Sequence, residues 1–302
     1  MRFLLLLSAL CLAVSLPAQD FFEKSNMFFA ENVTNNKVGY SKLAANSKSL
    51  NELITIIAKQ DLTQLEEPNK KAFLINSYNL LVINQIIEKW QIESVMDIGG
   101  FFEANKVVIG GNKMTLNDLE NKEIRKIYKD PRVHFVLVCG AIGCPPIINE
   151  AYLPATIDAQ LDRQTKIAMN NPTFIQVSED GNIKISEIFN WYKEDFVAKG
   201  SIIEYINSFR TTAISTEQKP KYYPYDWSIN AGSSFSGASS KAVQPFIPDE
   251  MLIDPYAVNL QTYNAGSLLK ENQADFTIFN SIYTESENNW QGQDYSGYRT
   301  TF

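Results

Sequence analysis

The chain has 302 residues, 45% of them hydrophobic and 20% charged, which is enough apolar material for one large core or two ordinary ones and unlike a disordered protein. A formal net charge of -7, with no basic run longer than Lys70-Lys71, excludes sequence-independent nucleic-acid binding, because phosphates would meet an acidic background. One histidine and three cysteines confine imidazole and thiol chemistry to a few positions.

Residues 1–19 read as a secretory signal peptide. Arg2 precedes an apolar run from Phe3 to Val14, broken only by Ser8, and Pro17-Ala18 leads to expected cleavage after Ala18 or Gln19. That run is short for a bilayer span. Cys11 belongs to this leader, so export to the periplasm or cell envelope would leave Cys139 and Cys144 in a disulfide-permissive compartment.

Residues 20–230 are expected to form the main domain. Leu50 to Ala58 has helical apolar spacing, with Ser49 as its N-cap. Asn69 to Trp90 is apolar on nearly all sides and predicts a central buried helix. Asn76 and Asn79 share one of its faces, and buried amides need partners, so they either fix loop backbone or flank an active crevice.

Lys106 to Leu116 predicts a hairpin turning on Gly110-Gly111-Asn112, followed by a helix over about 116–128 that Thr115 or Asn117 caps and Asp130-Pro131 ends. The unbroken β-branched and aromatic run Val133 to Val138 predicts a buried strand leading into a Gly-containing loop. Pro145-Pro146 suits a helix start, which would put Cys144 at an N-cap where partial positive charge favours a thiolate. Ile157 to Met169 reads as an amphipathic helix, and 174–177 and 183–185 as strands joined across Asp180-Gly181. Residues 188–196 set aromatics over acids, a helix is expected from Ser201 to Arg210, and Tyr222 to Asn230 closes the domain.

Residues 231–302 read as a Gly/Ser/Ala linker and a C-terminal tail. The alternating segment Ala274 to Thr284 suits an edge hairpin or the opening strands of a truncated outer-membrane barrel, the route by which the tail would associate with that membrane. One or two strands cannot span a membrane alone, so a loosely attached, truncated tail is the favoured reading. No internal repeat, phosphate-cradling loop or serine elbow is present, and no cofactor is expected.

Several motifs combine: Ile75 to Ile83, Leu116 to Glu120 with Ile124-Arg125, Asp130 to Phe135 with Cys139-Gly140 and Cys144-Pro145, Trp191 to Phe196, and Tyr225 to Asn230. Together, over roughly residues 70–230, they resemble the domain of unknown function 547 family. The resemblance implies an α+β fold with a papain-like or transglutaminase-like core, built on a central buried helix and an antiparallel sheet; fold alone does not carry activity. Asn121 stands where the family pattern often has histidine, leaving His134 as the only imidazole.

A cysteine hydrolase or acyl transferase needs a thiolate, a histidine base and an orienting group within hydrogen-bond reach. The candidates are Cys144 or Cys139 as nucleophile, His134 as base, and Glu120, Asn76 or Asn79 to orient the ring or polarise a carbonyl. On a regular strand His134 and Cys139 would face opposite sides, which favours Cys144. The competing readings are a Cys139–Cys144 disulfide, two inert thiols, or zinc held by His134 and both cysteines; the spacing matches no common zinc site, and no metal is expected. Trp191, Tyr192 and Trp227 either line a ligand groove or pack as core, Arg132 joins them as a binding candidate, and Glu194 and Asp195 are expected to be solvated or capping.

Two functions are compatible with these residues. The favoured one is a thiol-dependent hydrolase or transferase acting on an amide, peptide or thiol compound. The other is a non-catalytic envelope module, locked by the disulfide, that binds a peptide or small molecule.

Overall fold

The computed structural model describes residues 17–232 apart from 199 and 218. The expected leader, except its last three residues, and the tail beyond 232 lie outside the described residues.

Helix α1 (Pro17–Asn32) buries Phe21, Phe28 and Phe29 and leads through a two-residue hairpin, β1 (Val33–Thr34) and β2 (Lys37–Val38), to α2 (Tyr40–Ala45) and α3 (Lys48–Lys59). Residue 47, not the expected Ser49, occupies the N-cap of α3. Helix α4 (Asn69–Glu88) follows the expected span and buries fourteen of its residues, among them Phe73, Leu74, Ile75 and Ile83. It is the axis of the larger apolar cluster, against which α1, α2 and α3 pack.

The predicted hairpin forms as β3 (Lys106–Ile109) and β4 (Asn112–Thr115), turning on Gly110 and Gly111, both at positive φ. Thr115 and Asp118 form a capping box that starts the next helical run. That run is not uniform: α5 (Leu116–Asp118) passes into a π-helical segment, Leu119–Arg125, before α6 (Lys126–Tyr128). Periodicity arguments do not see such a bulge, and bulges of this kind often mark functional positions.

The largest departure from the sequence reading concerns Val133 to Val138. Pro131–Phe135 is a 3-10 turn, capped by the Asp130 carboxylate on the Arg132 N–H, and 136–140 is irregular; no strand forms there. Pro131 and the Asp130 cap start a helical turn, and the buried backbone after it is satisfied without a neighbouring strand. The Asn79 side chain donates to Val136 O at 2.9 Å and accepts from Val138 N at 2.8 Å. Asn76 does the same for Tyr152, donating to its carbonyl at 2.7 Å and accepting from its N–H at 3.0 Å. Each amide thus imitates one rung of a β-ladder from the side of a helix. The parity argument that set His134 and Cys139 on opposite faces lapses with the strand. Cys144 is not at an N-cap either, since 144–150 is non-helical and the next helix, α7 (Ile157–Asn170), begins well beyond it.

A second apolar cluster gathers α7 with β5 (Ile175–Val177), β6 (Ile183–Ser186), α8 (Ile188–Trp191), α9 (Lys193–Phe196) and α10 (Ile202–Asn207). Strand β7 (Lys221–Tyr223) pairs parallel to β6, while β5 pairs antiparallel to it. Among the described residues the expected antiparallel sheet is therefore three small sheets, one of them mixed. The protein is α+β, with Phe135 in the second cluster and its neighbours Val133 and Val136 in the first. His134 sits at this seam.

Replacing Asn79 by Leu keeps the volume but orphans the Val138 N–H and the Val136 carbonyl. At roughly 1–3 kcal/mol for each unsatisfied buried group, we expect a loss of about 2–4 kcal/mol, read by urea unfolding; a loss below about 1 kcal/mol would mean that the clamp is dispensable.

Candidate functional site

The 3-10 turn places His134 with only 2% of its side chain exposed, stacked on Tyr192 at 4.0 Å and beside Phe196. Its Nε2 lies 2.7 Å from Asp195 Oδ2. The same oxygen accepts Arg125 Nε and Nη2, both at 2.8 Å. Burial alone would raise the Asp195 carboxyl, but the bonds from His134 and Arg125 outweigh it and hold the group at about 2. An ionised Asp195 accepts only, so Nε2 carries the hydrogen and Nδ1 is the nitrogen free to accept a proton in the neutral ring. Asp195, expected to be solvated or capping, is instead the orienting partner of the single histidine. Arg125 also lies over the Tyr192 ring at 4.5 Å and donates to Asn121, the residue standing where histidine was expected.

Glu120, on the π-helical segment, is buried and accepts from the Tyr78 hydroxyl at 3.3 Å. Burial first, and the Glu120 carboxylate second, push both phenols well above their usual range, so both hydroxyls stay protonated donors. Tyr225 is raised likewise, by burial, then Tyr223, then Glu120.

Tyr225 carries the connection to the cysteines. The sulfurs of Cys139 and Cys144 stand 2.06 Å apart with Cα atoms 6.2 Å apart, so the two cysteines are placed as a disulfide pair. The Tyr225 hydroxyl approaches them at 3.2 and 3.1 Å. The loop between the cysteines is bolted to the segment after Tyr225: Ile142 N donates to Ser228 O at 2.8 Å, Gly143 N to Asp226 O at 2.8 Å, and Asn230 N to Gly140 O at 2.9 Å. Two glycines permit this. Gly140, at φ +84, has no room for a Cβ, which would lie 2.5 Å from Ile86 Cδ1 on α4, and a Cβ on Gly143 would press on the Asp226 backbone at 3.0 Å. Tyr225 also packs with Trp191 and Trp227 at 4.8 and 4.6 Å, and the two indoles stack at 5.7 Å. Trp191 is 39% exposed and Ile142 43%, so this aromatic ledge opens to solvent beside the disulfide.

The family comparison bears on this arrangement. Residues 62–167 match the family described as Protein of unknown function, DUF547. No curated protein and no solved structure matches the chain. The DUF547 segment supplies Asn76, Tyr78, Asn79, Glu120, Arg125, His134 and both cysteines, whereas Trp191, Tyr192, Asp195, Tyr225 and Trp227 come from beyond its end. The resemblance drawn from sequence motifs ran on to 230, past the matched segment.

Of the expected site residues, Tyr192 stacks on His134, Cys139, Cys144, Trp191 and Trp227 all meet Tyr225, and Glu120 meets Tyr78. Among the described residues no hydrogen bond or ring contact joins His134 to either cysteine. Asn76 and Asn79 are spent on backbone. Arg132 is engaged by three carboxylates, Asp130, Asp158 and Asp162, at 2.7 to 3.0 Å, and braces the 3-10 turn against α7. Among the described residues no cluster of three or more His, Cys, Asp or Glu side chains could hold a metal ion. An open hollow of about 690 Å³ bordered by α1 and α3 contains none of these residues. Sequence reasoning missed Tyr78, Arg125 and Tyr225 as site residues, although all three lie inside the motifs that carried the resemblance.

The depressed Asp195 carboxyl makes stability depend on pH in a definite direction. Its folded value, about 2, lies below the ordinary 3.8, so the contribution is complete above about pH 4 and is lost as pH falls toward 2. With the group partly exposed, this amounts to about 1–2 kcal/mol. Asp195→Asn should lose less stability than wild type on acidification from pH 5 to pH 2; Asp130, also held at about 2, titrates in both proteins, so the difference between their denaturation curves is the readout. Identical acid dependence would contradict the pairing.

Proposed function

We propose that this chain is an exported module of the periplasm or cell envelope, without hydrolase or transferase activity, that binds a peptide or small molecule on the ledge of Trp191, Tyr225 and Trp227, with a papain-like or transglutaminase-like core behind it. The observation that carries this reading is the disulfide geometry of Cys139 and Cys144: with the bond made, neither sulfur is a thiolate, and the loop becomes a rigid wall. These mutually packed aromatics, Trp191 exposed and Tyr225 and Trp227 half-buried, supply apolar contact area at low entropy cost, the usual form of a recognition surface.

The His134–Asp195 pair favours a second reading, a thiol-dependent hydrolase or transferase acting on an amide, peptide or thiol compound. An oriented imidazole with Nδ1 available is the general-base half of such a site. It requires both cysteines reduced, with Cys144 or Cys139 brought to His134 and Glu120 as an additional polar group.

Titrating thiols on the mature protein, folded and without reductant, separates the two. The binding module has no reactive thiol and keeps its ligand affinity in His134→Ala, while Trp191→Ala weakens any peptide found by tryptophan-fluorescence screening of a short-peptide library by about tenfold or more. Two free thiols, one of them losing its reactivity in His134→Ala, would instead establish the enzyme.

A further inference from the structure

The two sulfurs of the pair are not equivalently placed. Cys144 Sγ receives the Cys139 backbone N–H at 2.9 Å and the Tyr225 hydroxyl at 3.1 Å; Cys139 Sγ has only the Tyr225 hydroxyl, at 3.2 Å. Both cysteines are partly exposed, unlike the buried residues on either side of Cys139. The intervening loop is fixed to 226–230 by its own hydrogen bonds, so a sulfur released from the bond stays beside its donors. Donors that stabilise negative charge on one sulfur make that sulfur the better leaving group in thiol–disulfide exchange.

We propose that Cys139–Cys144 is an exchange-active disulfide, attacked at Cys139 and releasing Cys144, whose substrate is a dithiol. In the first step a thiolate of the dithiol bonds to Cys139 Sγ. The Cys139–Cys144 bond breaks, and its electron pair leaves on Cys144 as a thiolate held by the Cys139 N–H and Tyr225. In the second step the other sulfur of the dithiol, ionised, attacks the sulfur of its own chain in the mixed disulfide and expels Cys139 as a thiolate. The dithiol is oxidised to its disulfide, the protein is reduced by two electrons, and the two protons shed by the dithiol end on Cys139 and Cys144. Tyr225 joins this bond to the aromatic ledge, but the exchange does not depend on whether that ledge binds a ligand.

The test uses the full chain, oxidised and folded, at one fixed pH. Dithiothreitol is added without denaturant, samples are quenched with iodoacetamide, and labelled peptides are quantified by mass spectrometry while circular dichroism follows the fold. The pair should reduce with the fold intact. Under limiting iodoacetamide, the reduced protein should label Cys144 over Cys139 by about tenfold, the ratio that one unit of preferential ionisation confers. Tyr225→Phe, which removes one of the donors, should slow reduction severalfold. Should that variant not fold, the labelling ratio in the wild-type protein still decides. A disulfide that yields only in denaturant, or labelling that is equal or favours Cys139, would overturn the proposal.

Discussion

Everything around the site depends on two side-chain amides. Buried backbone must be hydrogen-bonded, and the segment from Val136 to Val138 runs through the core with no strand beside it. Asn79 supplies the missing rung, and Asn76, one turn earlier on the same face of α4, does so for Tyr152. These contacts tie the loop before the cysteines, and the stretch leading into α7, to the most buried helix of the molecule. His134 on one side and Cys139 on the other inherit their positions from that attachment.

This constraint also explains what the sequence could reveal. Elements with local signals were legible: the apolar all-round pattern of α4, the glycine turn between β3 and β4, the Asp-Gly hairpin between β5 and β6, and the buried amides that needed partners. Val133 to Val138 was not, because a short apolar run looks the same whether its backbone pairs with a strand or with an asparagine. Composition reports burial but not the partner. The π-helical turn at Glu120 escaped for a related reason, since one extra residue per turn leaves the surrounding apolar spacing nearly unchanged.

The candidate site was legible as a set of residues but not as a geometry. His134, Glu120 and the cysteines were identifiable by chemical type, and the aromatics by their motif. Asp195 lies sixty-one positions from His134 and Tyr225 eighty-one from Cys144; pairings at such separations are set by the packing of two apolar clusters. The result is two centres: an oriented histidine with Asp195 and Arg125 at the seam, and a cysteine pair beside Tyr225, while Glu120 takes the Tyr78 hydroxyl and its charge acts on Tyr192 and Tyr225.

Side-chain amides, and not a strand ladder, hold the central segment. Native-state hydrogen exchange at the Val138 and Tyr152 amides measures this. Both N–H groups should be released only with global unfolding in the wild-type protein, and Val138 alone should become fast in a folded Asn79→Ala variant. Rapid exchange of Val138 in the wild type, or protection unchanged in the variant, would contradict it.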